Sequence, residues 1–135
     1  MIEIQDFRVR SGRAASGDAS RWARAWAERA GLSEQRSDAL DLCIVELVSN
    51  IVNHGYRGAA GNIHVQLEMR DAAVVLTITD SAPAFDPLSV PTPKVAASLE
   101  DTQIGGWGVH LVRTSASDCK YERRGDQNIF TARFN

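Results

Sequence analysis

ELVSNIVNHG, Glu46 to Gly55, decides how the rest of the chain is read. It lies in the longest apolar run of the sequence, yet it carries Glu46, Asn50, Asn53 and His54 among Leu, Val and Ile. On a helix turning about 100° per residue, Glu46, Asn50 and Asn53 fall within an arc of about 60°, with His54 at its edge. Leu40, Ile44, Leu47, Val48 and Ile51 fill a broad neighbouring arc, and Leu42 and Cys43 flank the stripe. The stripe is therefore a polar seam between apolar borders, unlike the solvent face of an amphipathic helix. Leaving such groups buried without partners costs roughly 1–3 kcal/mol each. They are either wet in a cleft or met by a polar ligand. On a cleft wall the carboxylate suits a base, and an amide oxygen suits Mg²⁺, which takes most of its shell from phosphate and water.

Outward from this helix, expected over Glu34–His54 and closed by Gly55, the pattern alternates between helix and strand. Residues 2–9 read as a strand, and Asp18 to Ala30 as a helix ended by Gly31, with Ser33 opening the next one. Trp22 and Trp26 share one face of that earlier helix, either for core packing or for a subunit interface. Ile63–Met69 and Ala73–Thr79 read as strands joined by a hairpin at Arg70–Asp71–Ala72. A long irregular stretch follows, holding all 4 prolines. IGGWGVHLVRTSA then opens a third helix, and strands near Asp118–Glu122 and Asn128–Phe134 flank a turn at Arg124–Gly125–Asp126. The order β-α-α-β-β-loop-α-β-β predicts an α/β fold, a two-layer sandwich of helices on one face of a mostly antiparallel sheet.

The 135 residues suffice for one domain, residues 1–135, with a single core. A net charge of −2 offers no basic surface for nucleic acid, so no direct nucleic-acid partner is expected. No apolar run approaches the roughly 18 residues of a membrane span, and no apolar leader is seen, so the expectation is a cytoplasmic protein without membrane attachment. Cys43 and Cys119 form no CxxC pair, and Cys43 reads as a buried free thiol. His54, His64 and His110 show no metal-ligand spacing.

Two further segments carry chemistry. Gly105, Gly106 and Gly108 open a helix, where bare backbone N–H groups and the helix dipole favour a phosphate. No GK[ST] follows, so this is not a Walker A loop. Asp80 ends an alternating strand just before Pro83, where its carboxylate either caps the turn or accepts from a ligand's amino group.

Together these segments resemble the Bergerat-type ATP-binding fold of histidine kinases and gyrase-type ATPases, and within it the small bacterial anti-sigma-factor serine kinases. The family's E-x-x-x-N helix is matched by Glu46–Asn50, followed by Asn53, His54 and Tyr56. Its DxGxxFDP segment runs from Asp80 through Phe85–Asp86–Pro87, and its GGxGLxLV segment from Gly105 to Val112. Its tail appears as Asp118, Tyr121 and Asn128-Ile129-Phe130.

The resemblance implies an ATP site between the polar helix and a lid made by the long loop. Glu46 would be the general base toward an acceptor serine, and Asn50 the Mg²⁺ ligand. Asp80 would accept from the adenine amino group, with Asn53, Ala82, Phe85 and Asn128 completing the site. Gly105, Gly106, Trp107, Gly108 and Val109 would lie along the phosphates. The implied function is a partner-switching serine kinase that phosphorylates an anti-anti-sigma (STAS-type) protein and binds a sigma factor, as a homodimer. A catalytically silent module of the same fold, sequestering a regulatory partner, is the alternative. One departure stands out: the family's glycine two positions after the aspartate is Ala82, and ATP binding is expected to survive it. Lys94 is the one basic residue between Asp80 and Gly105.

Overall fold

Among the described residues, five strands and three helices follow in the expected order. They are β1 (Gln5–Arg10), α1 (Ala15–Arg29), α2 (Glu34–Asn50), β2 (Asn62–Arg70), β3 (Ala73–Asp80), α3 (Ile104–Ser115), β4 (Asp118–Arg124) and β5 (Gln127–Phe134). The computed structural model describes residues 4–89 and 104–135, without the side chains of 104–107. The expected lid, with Lys94, lies largely outside them.

The strands form one sheet in the order β1-β2-β3-β5-β4, every neighbouring pair antiparallel. Strict alternation gives it an inner face of aligned rows. One row is Phe7, Val65, Ile78, Phe130 and Tyr121, and the next is Gln5, Leu67, Leu76, Ala132 and Cys119. The row at the other side is Val9, Ile63, Asp80, Asn128 and Arg123. Two rows thus build an apolar floor, while the third turns polar at the end of β3.

The helices cover that face. Helix α1 buries Ala15, Ala19, Ala23 and Ala27 at four-residue intervals, a strip of methyl groups that lets it approach its neighbours closely. Trp26 is buried in the same core, and Trp22 stacks on Phe7 of β1 at 5.3 Å between ring centroids. Trp26 therefore packs in the core, while Trp22 stays partly exposed beside β1. Helix α2 contributes Leu40, Cys43, Ile44, Leu47 and Val48, and α3 contributes Val109 and Val112. The Cys43 thiol is fully buried, and burial pushes its pKa up to about 12, leaving it an inert core group.

Local signals act as expected at several ends. The Ser33 hydroxyl accepts from the Arg36 N–H at 3.2 Å and caps α2. Gly31 takes a left-handed φ of 71° after α1. Asp71 and Ala72 both have positive φ, the two-residue turn that matches strand twist.

One element differs. Helix α2 is α-helical only to Asn50, and Ile51–Gly55 continues as a π-helical turn. The Tyr56 N–H reaches back five residues to the Ile51 carbonyl at 2.8 Å. This wider turn re-aims the last residues of the helix, and such turns frequently mark functional sites.

Candidate functional site

An apolar cavity, open to solvent, lies between the end of α2 and the polar row of the sheet. Leu47, Asn50, Ile51 and Gly55 line its helix side, and Ile78, Asp80, Tyr121, Asn128 and Phe130 its sheet side. Ala82, Pro83, Phe85 and Pro87 form the rim where the chain leaves β3. Apolar walls around a few convergent polar groups are typical of a small-molecule site.

Asp80 is the buried polar group at the floor, 7% exposed. It faces Asn128 directly across the β3–β5 ladder. Its Oδ1 accepts from the Asn128 Nδ2 and from the Ala82 N–H, each at 2.9 Å. Among the described residues both bonds fall on Oδ1, which leaves Oδ2 for a donor on a ligand. Burial raises the Asp80 carboxyl above the usual aspartate range, while Asn128, the Ala82 N–H and the Arg123 guanidinium draw it back down.

Asn128 is the hub of the site. Its Nδ2 also donates to the carbonyls of Ala82 and Pro83, at 3.1 and 3.2 Å. Its Oδ1 accepts from the Tyr121 hydroxyl, from Arg123 Nη1 at 3.2 Å and from the Phe85 N–H at 3.3 Å. This one amide pins residues 82–85 against the sheet. Tyr56 pins the other side: its hydroxyl donates to the Asn62 carbonyl and accepts from the Ser81 N–H, both at 2.8 Å. Its ring lies where any side chain at Gly61 would collide with it.

Glu46 stands one helical turn before Asn50, half-buried, against Gly108 of α3. A methyl group built on Gly108 would overlap the Glu46 carboxylate, with its Cδ at 3.1 Å. Glycine at 108 is thus what lets the carboxylate sit there. Val109, the next residue, is buried. Gly105, Gly106 and Trp107 fall at the beginning of α3, and the contacts expected of them lie outside the described side chains.

The structure therefore brings Asn50, Asp80, Ala82, Phe85 and Asn128 to one cavity, and sets Glu46 beside Gly108 on the same helix as Asn50. Asn53 and His54 are exposed and do not line it. Both belong to the π-helical turn, so the 100° spacing that aligned Asn53 with Asn50 no longer applies there. Tyr121 and Arg123 enter the site with no role assigned to them from sequence. Alternation within β4 was the available signal, since both share the face that meets Asn128 and Phe130.

Ala82 has a local explanation. It is 2% exposed, and a Cβ placed on Gly55 would approach the Ala82 methyl to 3.1 Å. Ala82 is absent from the residues with positive φ, so its backbone makes no demand for glycine. The methyl occupies space left by the missing side chain of Gly55. We expect Gly55→Ala to destabilise the fold by about 1 kcal/mol through overpacking. Ala82→Gly should relieve the clash, and a double-mutant cycle in urea measures that coupling; strict additivity would refute the contact.

A two-layer α/β module with a buried carboxylate at the floor of an apolar cleft is the class that this fold and site define. The chain belongs to the family of histidine kinase-like ATPase domains, which matches residues 11–134. It is 36% identical over 111 residues to the serine/threonine-protein kinase BtrW of Bordetella bronchiseptica, covering 78% of each chain. It is 27% identical over 115 residues to the serine-protein kinase RsbW of Listeria innocua, covering 81% of this chain and 73% of that one. Among solved structures, the RsbU and RsbW domains of Rv1364c from Mycobacterium tuberculosis share the fold with a TM-score of 0.71 at 17% identity. That match covers 98% of this chain and 31% of the longer one. The SiaB–SiaC complex from Pseudomonas aeruginosa matches at a TM-score of 0.63 and 13% identity, over 96% of this chain and 87% of that one. The resemblance read from the motifs and the two-layer α/β fold are both borne out. No helix among the described residues is long and apolar enough to cross a membrane.

Proposed function

We propose that this chain is an ATP-dependent serine kinase of a partner switch, acting on a serine of a small STAS-type anti-anti-sigma protein and binding a sigma factor or similar regulator in its other state. The observation that carries this reading is the buried Asp80, held by Asn128 at the floor of an apolar cavity whose wall includes Asn50, one helical turn after Glu46. The kinase names of its relatives support it.

The residues suit the nucleotide. Asp80 offers an acceptor to the adenine amino group, and Ile78, Phe130, Leu47 and Ile51 supply apolar area for the ring. Asn50 presents a hard amide oxygen on the cavity wall, appropriate to Mg²⁺. Among the described residues no group of three His, Cys, Asp or Glu could hold a metal, so the ion would complete its shell with phosphate oxygens and water. When bound, Mg²⁺ neutralises phosphate charge. Glu46 takes the proton of the acceptor serine as its oxygen forms the new bond to the γ-phosphorus, and the bond from that phosphorus to the β–γ bridging oxygen breaks. Gly108 leaves the room that the Glu46 carboxylate occupies.

The test is transfer of labelled γ-phosphate from Mg-ATP to a purified STAS-type partner, with a Ser→Ala partner as control. Serine-dependent labelling is the expected result. Stable partner binding without any labelling would identify the silent module instead.

A further inference from the structure

We infer that Arg123 is a positioning residue for the purine end of the cavity: through Asn128 and the Ala82 carbonyl it keeps one oxygen of Asp80 committed to the protein and the other turned to a ligand's amino group. This rests on the nucleotide reading above.

Arg123 lies directly across from Asn128 in the β4–β5 pairing. Its Nη1 donates to the Ala82 carbonyl at 2.9 Å and to Asn128 Oδ1 at 3.2 Å, and its Nε donates to the Gly125 carbonyl at 3.1 Å. The Nε bond ties the guanidinium to its own hairpin turn, so the planar fork points at the site with little freedom left. An exposed arginine on an edge strand normally trails in water. This one meets three fixed acceptors.

The consequence passes through the orientation of one amide. Asn128 can place its oxygen or its nitrogen toward Asp80. With Arg123 and the Phe85 N–H both donating to Oδ1, the flipped amide would set an NH₂ against two obligate donors and an oxygen against a carboxylate. The observed orientation alone satisfies every group. Nδ2 therefore holds Asp80 Oδ1, and the remaining oxygen is presented to the cavity. Arg123 also opposes the effect of burial on the Asp80 carboxyl.

Because the effect runs through a single acceptor, the ligand can be used as the second mutation. Calorimetric titration with ADP and with the purine nucleoside diphosphate that lacks the 6-amino group separates the two cases. Wild type should prefer ADP by about 10- to 100-fold. Arg123→Gln should weaken ADP by about tenfold and leave the des-amino ligand within twofold, with Arg123→Lys recovering part of the loss. Equal weakening of both ligands, or no change for ADP, would overturn the role of Arg123. A wild type that treats the two ligands alike would overturn the orientation of the purine itself. Tyr121→Phe removes another side-chain donor to the same oxygen with little change of shape. It must show a smaller ADP-selective loss, and its absence counts against the proposal even if Arg123→Gln does not fold.

Discussion

Asp80→Asn is expected to weaken ADP binding by about 100-fold while leaving the protein folded. The two structural bonds survive the change, because an asparagine Oδ1 can still accept from Asn128 Nδ2 and from the Ala82 N–H. What reverses is the group turned to the cavity, an acceptor that becomes an NH₂ donor and meets the amino group of the base head-on. Leaving both unsatisfied costs about 2–3 kcal/mol, and every 1.4 kcal/mol is tenfold in affinity. Stability should move the other way. The folded-state pKa of Asp80 is raised, so its contribution to stability is present below the ordinary aspartate pKa of about 3.9 and is lost as pH rises through the raised value. At neutral pH the ionised carboxyl is a cost that asparagine lacks. Asp80→Asn should therefore raise Tm at pH 7, with the gain fading as the pH falls through the raised value and gone below the ordinary aspartate pKa of about 3.9. A variant that loses ADP binding and Tm together would indicate a merely structural aspartate.

Glu46→Gln should separate binding from chemistry. The side chain does not line the cavity and sits against Gly108, and glutamine has the same shape. ADP affinity should stay within about threefold, while phosphoryl transfer to the serine partner drops by about 10²–10⁴, the usual contribution of a positioned general base. Single-turnover kinetics with saturating Mg-ATP measures this directly. Transfer at the wild-type rate would remove Glu46 from the mechanism. A parallel loss of ADP binding would mean that it holds the nucleotide.

Much of this was legible in the sequence because strands and caps report locally. Alternation of Val74, Leu76 and Ile78 fixed which way β3 faces, and so placed Asp80 on the inner side. Ser33, Gly31 and the Asp71–Ala72 turn are each explained by neighbours in the chain. The features that escaped depend on distant pairing. Arg123 matters only because the β4–β5 register sets it opposite Asn128. Ala82 is accommodated by Gly55, a neighbour in space but not in sequence. The π-helical turn escaped for another reason. A uniform helical wheel assumes one angle per residue, so Asn53 was aligned with Asn50 although the backbone widens between them.

The polar row across the sheet does more than hold a ligand. Its flanking rows of Val, Ile, Leu and Phe would pair tolerably well in more than one alignment, since apolar contacts are not directional. A shift of β3 by one residue would carry Asp80 to the opposite face, and a shift by two would strand it among hydrocarbon neighbours without the Asn128 amide. The first error gives up the Asn128 bond, and the second leaves a buried carboxylate unpaired, a larger penalty than any single misplaced methyl group. Asp80 and Asn128 thus act as a registration mark for the folding chain: the same bond that prepares the floor of the cavity certifies that its strands have come together in the right order.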